Sequence, residues 1–145
     1  METIKRFVLD NGLIVVLQEN HYAKLTSIRA WVKTGSLHEK ENVAGISHFI
    51  EHMLFKGTKN KGIGEIAQIV ESSGGCLNAS TSFDNTVFYM TILSKYVNEA
   101  IEVISDLLSN PIFDTDDIEM EKEVILEEIH MGDDMPRRKL YDLVF

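Results

Sequence analysis

Through IKRFVLDNGLIVVLQEN (4–20) the apolar residues gather in two strand-like runs that meet at Asn11-Gly12. Asn-Gly between two such runs is a strong hairpin signal, since both central residues of its turn need positive φ. The pattern predicts a β-hairpin. LTSIRAWVKTG (25–35) alternates and is rich in β-branched and aromatic types, which predicts a third strand ending at Gly35 with Trp31 in the core. From Val43 to Phe55 the period changes: Val43, Ile46, Phe49, Ile50, Met53 and Leu54 recur at helical spacing. A glycine-punctuated loop (56–65) leads to a short helix carrying Ile66, Ile69 and Val70, broken at Gly74-Gly75. CLNASTSFDNTVFYMTIL (76–93) predicts a second hairpin turning near Asp84-Asn85. Ser94 is the expected N-cap of the next helix, with Val97, Ile101, Ile104 and Leu108 as its buried stripe and Pro111 as its stop. Asp114 or Thr115 should cap a long charged helix reaching about Gly132, and PRRKLYDLVF (136–145) reads as the opening of another.

Strands and helices are thus clustered rather than strictly alternating, which predicts an α+β fold: an antiparallel or mixed sheet with helices packed on one face. At 145 residues and 44% hydrophobic content the chain supports one core, so residues 1–145 are expected to form a single unit. The helix opening near the end marks that unit as an incomplete domain, truncated at its C-terminal side. A formal charge of -9 argues against nucleic acid, whose phosphates need a basic face, and favours cationic peptides. No apolar run approaches the ~20 residues that cross a bilayer, and no signal-peptide core is present, so no membrane partner is expected. Cys76 is the single cysteine, read as a small buried residue; with no internal disulfide available, a cytoplasmic location follows.

The chemistry concentrates in HFIEH (48–52). Histidines at i and i+4 stack on one helix face, so His48 and His52 can direct two imidazoles at one ion, and zinc accepts that geometry. Glu51 projects to the same side, near enough to serve a metal-bound water without ligating. A catalytic zinc takes three protein ligands and keeps an open position, so a further donor is required. The last long helix offers carboxylates: Glu121 and Glu128 lie seven residues apart, about 20° apart around the axis, beside an apolar face of Ile118, Ile125 and Ile129. Carboxylates bordering an apolar stripe are costly to bury unless something positive meets them, and a divalent cation would. The plainer alternative has both facing water on a helix already crowded with Glu119, Glu123 and Glu127.

HFIEHMLFKGT, GGCLNASTSFDNTVFY and EKEVILEEI together resemble the N-terminal catalytic region of the pitrilysin family, the inverted-motif zinc metallopeptidases that include mitochondrial processing peptidase. The resemblance spans nearly the whole chain. It implies Zn2+ held by His48, His52 and Glu128, with Glu51 as general base and Glu121 as the supporting carboxylate. It also implies an edge strand at Asn78, Ala79, Ser80 and Thr81 on which a peptide substrate adds as an extra strand. The implied activity is that of a zinc endopeptidase. The implied partners are a peptide and a second, homologous half or subunit, with self-association into a homo-oligomer through apolar surface as a further expectation.

Two other classes compete. One is a non-catalytic zinc-binding or assembly module, since this chain holds no second half. The other is a lyase of the S-ribosylhomocysteine type, which also uses HxxEH but takes a cysteine as third ligand, and Cys76 is the only candidate. His21, His38 and His130 read as surface residues. Gly62-Ile63-Gly64 lacks the ending of a phosphate loop and implies no nucleotide.

Overall fold

The computed structural model describes residues 4–136 and 140. Most of the segment read as an additional terminal helix therefore lies outside the described residues. Five strands and four helices follow in the order β1 Ile4–Val8, β2 Ile14–Gln18, β3 Leu25–Val32, α1 Ile46–Leu54, α2 Ile63–Ser72, β4 Cys76–Thr81, β5 Thr86–Leu93, α3 Val97–Ser109 and α4 Thr115–Asp133, with short 3-10 turns between some of them. All strand pairing is antiparallel, and it divides into two sheets: β1-β2, and β3-β5-β4 with β5 in the centre. The expected α+β class stands.

The first hairpin forms, with a different turn. Val8 pairs with Ile14, Leu9 N–H donates to Leu13 C=O at 2.9 Å and Gly12 N–H to Leu9 C=O at 2.8 Å, so three residues close the loop. Only Gly12 has positive φ, 85°, and Asn11 instead turns its Oδ1 to the Leu13 N–H at 3.1 Å. This is the three-residue loop in which a glycine relieves the twist between strands. β3 ends at Val32, three residues before the expected Gly35, and Trp31 is 62% exposed rather than core. It lies on a face of β3 that no described helix covers.

The core fills one face of the central sheet. Met90 and Ile92 of β5 meet Ile66 and Val70 of α2 and Ala100, Val103, Ile104 and Leu107 of α3, and a second cluster joins Phe88 and Ala79 to Leu54 of α1. The stripe of α3 is rotated from its expected position. Ala100, Val103 and Leu107 are buried while Ile101 is 51% exposed, because small Ala100 lets the helix approach the sheet along that line. Ser94 does not cap α3. It sits in a preceding 3-10 turn, where its Oγ accepts a hydrogen bond from Thr26 Oγ1 at 2.9 Å. Asp114 does cap α4, accepting from the Asp116 N–H at 2.9 Å. Among the described residues no helix is long and apolar enough to cross a membrane.

Candidate metal centre

α1 begins later than the periodicity implied, at Ile46, after Gly45 in a left-handed conformation with φ 90°. Its free N–H groups are met from upstream. The Glu39 carboxylate accepts from Gly45 N–H at 2.6 Å and Ser47 N–H at 2.7 Å, a cap that also sets negative charge at the positive end of the helix dipole. Burial resists ionisation of Glu39, but these hydrogen bonds outweigh it and hold the carboxyl below its ordinary range. The helix that carries HFIEH is thereby fixed at its start.

One turn along α1, His48 and His52 converge on each other, Nε2 to Nε2 at 3.1 Å. Glu128 Oε2 on α4 lies 3.8 Å from each of those nitrogens. The three donor atoms fall within 4.8 Å of one another, and they form the one such group of three among the described residues. Donors about 2.1 Å from a tetrahedral zinc stand roughly 3.4 Å apart, so the separations fit an ion of that size with small adjustments. The donor set, two borderline imidazole nitrogens and one hard carboxylate oxygen, suits the same metal.

The structure separates Glu121 from Glu128 more sharply than their spacing implied. Glu128 is half-exposed and reaches the histidines, whereas Glu121 is 4% exposed and lies behind them. Glu121 Oε1 is 2.8 Å from His52 Nδ1, and its Oε2 meets the Lys56 ammonium. Burial opposes its charge, yet Lys56 and His52 together hold its pKa below the ordinary carboxylate value. An ionised carboxylate can only accept, so Nδ1 of His52 carries a proton toward Glu121, and Nε2 is the ring nitrogen that faces His48 and Glu128. The positive partner that a bordering carboxylate requires is therefore, for Glu121, a lysine. Lys56 has no signal in the sequence, although it stands four residues after His52 in HFIEHMLFKGT. Lying just past the end of α1, it carried no helical periodicity to mark it.

Glu51 is tied to the sheet. Thr81 Oγ1, at the last residue of β4, donates to Glu51 Oε2 at 2.5 Å. β4 is an edge of its sheet among the described residues, with Asn78 and Ser80 exposed, Ala79 buried and Thr81 half-buried. At its other end an apolar groove of about 400 Å³ opens between strand and α2, lined by Phe55, Ile63, Ile66 and Leu77. Cys76 lines this groove and is exposed, which corrects its reading as a buried residue. It is not one of the donors gathered with His48 and His52, so the third position of a lyase site falls to no cysteine here.

Comparison with known proteins agrees with the motifs. The family described as insulinase, peptidase family M16, matches residues 14–144. An uncharacterized zinc protease, YmxG, of Bacillus subtilis is 40% identical over 141 residues, covering 97% of this chain and 34% of its own length. A probable mitochondrial-processing peptidase subunit beta of Arabidopsis thaliana is 39% identical over 121 residues, covering 83% of this chain and 23% of its own length. Among solved structures, a protease from Helicobacter pylori superposes with a TM-score of 0.91 at 31% identity, over 97% of this chain and 34% of that one. The chain thus spans between about a quarter and a third of the length of these relatives. By the match over residues 14–144, this chain belongs to the insulinase family of peptidases, family M16.

Proposed function

We propose that this chain is the zinc-binding catalytic part of an endopeptidase, with His48, His52 and Glu128 as metal ligands, Glu51 as general base and Glu121 as the supporting carboxylate. The carrying observation is the convergence of three donors from two helices, one of them oriented from behind by a buried carboxylate. Zinc, when bound, supplies Lewis acidity, which acidifies water and polarises a carbonyl. The side chains do the rest. Glu51 takes the proton of the attacking water and later delivers it to the leaving amine. Glu121 keeps the His52 ring in place through Nδ1–H. The free edge of β4 at Asn78, Ala79, Ser80 and Thr81 receives an extended peptide by backbone pairing. The groove beside Cys76 and Leu77 takes an apolar side chain of that peptide, and the formal charge of -9 draws in cationic segments.

Residues 1–145 act as one unit in this reading, and a second, homologous half completes the chamber around the peptide. The isolated chain then binds zinc and cleaves weakly or not at all. Metal analysis and peptide hydrolysis test this together. About one zinc per chain, lost in His48→Ala, and full-length protein that Glu51→Gln inactivates without loss of zinc, are the expected results. A correctly folded chain that takes up no zinc would overturn the peptidase reading. Zinc binding with no hydrolysis by the full-length protein would instead favour an assembly module.

A further inference from the structure

We infer that Thr81 is a positioning residue for Glu51, holding the base in one orientation rather than serving only as part of the peptide-binding edge. The inference rests on the peptidase reading above. Thr81 Oγ1 donates to Glu51 Oε2 at 2.5 Å, the hydrogen bond that ties the side chain of the base to the sheet. Across the ladder Thr81 pairs with Thr86, and their hydroxyl oxygens are 3.2 Å apart. Thr86 Oγ1 donates to the Thr34 carbonyl at 3.0 Å, so its single proton is committed. The proton of Thr81 is left for the carboxylate, and hydrogen bonds to an ionised acceptor are the stronger kind.

A hydroxyl can orient a carboxylate only if its own backbone is fixed, and this one is held on both sides. Ser82 N–H donates to Asn85 C=O at 2.8 Å to close the β4-β5 turn. Ser36 N–H donates to Ser82 C=O at 3.1 Å and Leu37 N–H to Phe83 C=O at 2.8 Å, docking the segment after β3 onto that turn. A Cβ on Gly35 would come within 2.2 Å of Ser82 O, so only glycine permits this contact. Glu51, by contrast, is a half-exposed glutamate with three side-chain torsions to fix, and a general base works only within hydrogen-bond reach of its proton. β4 therefore carries both the edge that receives the peptide and the hydroxyl that aims the base. Peptide and base share one rigid frame.

The test is steady-state peptide hydrolysis by the full-length zinc-loaded protein carrying Thr81→Val, which keeps the shape and loses the hydroxyl, or Thr81→Ser, which keeps the hydroxyl. Thr81→Val should retain its zinc, leave KM within about twofold and lower kcat by roughly ten- to a hundredfold, the scale of a misplaced catalytic group. Thr81→Ser should restore kcat to within about threefold of the parent. An unchanged kcat in Thr81→Val, or a loss confined to KM, would overturn the inference and leave Thr81 as a peptide contact. If Thr81→Val does not fold, Thr81→Ala is read by the same criteria. Failure of the underlying reading looks different: the parent itself would show no zinc-dependent hydrolysis, or Glu51→Gln would keep its activity, and both conclusions would fall together.

Discussion

Lys56 and Glu121 form an ion pair with the carboxylate 4% exposed and the lysine side chain 26% exposed. Removing one member of such a pair strands the other charge. Lys56→Met should therefore cost roughly 3 kcal/mol in urea unfolding. Adding Glu121→Gln to the same chain should recover part of that loss. Glu121→Gln alone should weaken zinc binding by about ten- to a hundredfold in a chelator competition, because it loosens the grip on His52 Nδ1. Asp106 offers a pH test away from the metal. Thr58 above all, then Asn110 and Asn60, hydrogen-bond its carboxylate, with Lys61 adding positive charge, and they hold its pKa below the ordinary value. The stabilisation is complete above the unfolded value of about 3.9 and disappears as pH falls through the lower folded value. The deficit of Asp106→Asn should accordingly be full at pH 7 and shrink on acidification, read by denaturant melts across that range. The histidine pair was legible at residue scale because i,i+4 spacing alone dictates where two imidazoles point. Glu39, Lys56 and the contact of Thr81 with Glu51 were not, because each acts across a tertiary contact between segments that no local period connects.

Among the elements, β5 and α4 lie where the pattern put them and Asp114 caps as a capping residue should, while α1 forms as expected but starts three residues late, at Ile46. Departures came where packing overrode pattern. Ile101 fits a helical stripe on paper, but α3 buries Ala100, Val103 and Leu107 instead, in the cluster with Met90 and Ile92 of β5. Asn11-Gly12 announced a hairpin correctly, while loop length, set by the Val8–Ile14 register, decided the turn. The contact at Gly35 makes an element-scale prediction. Gly35→Ala drives a methyl group into the β4-β5 turn and should destabilise by about 1–3 kcal/mol in thermal or urea unfolding, although its φ of -158° is open to any residue.

At the scale of the molecule the two sheets behave differently. The central sheet is backed by α1, α2 and α3, whereas no other described element meets the β1-β2 hairpin in more than marginal contact, and Ile4, Val8, Leu13, Ile14 and Val16 are exposed on it. A two-stranded hairpin is marginal alone, so its amides should exchange with deuterium well before those of β5 in the isolated chain. α4 likewise exposes Met120, Val124, Leu126, Ile129 and Met131. Apolar surface on this scale predicts concentration-dependent self-association, checked by light scattering. Neither exposure was visible in the pattern, which marks what is apolar and not what covers it. His48 and His52 are synthesised well before Glu128, which follows His52 by 76 positions. On the ligand set proposed above, a nascent chain presents only a two-point grip on the ion, and the full grip arrives when α4 reaches α1. Ion capture then closes a long loop late, as a clasp, and it favours chains whose first and last helices have already met.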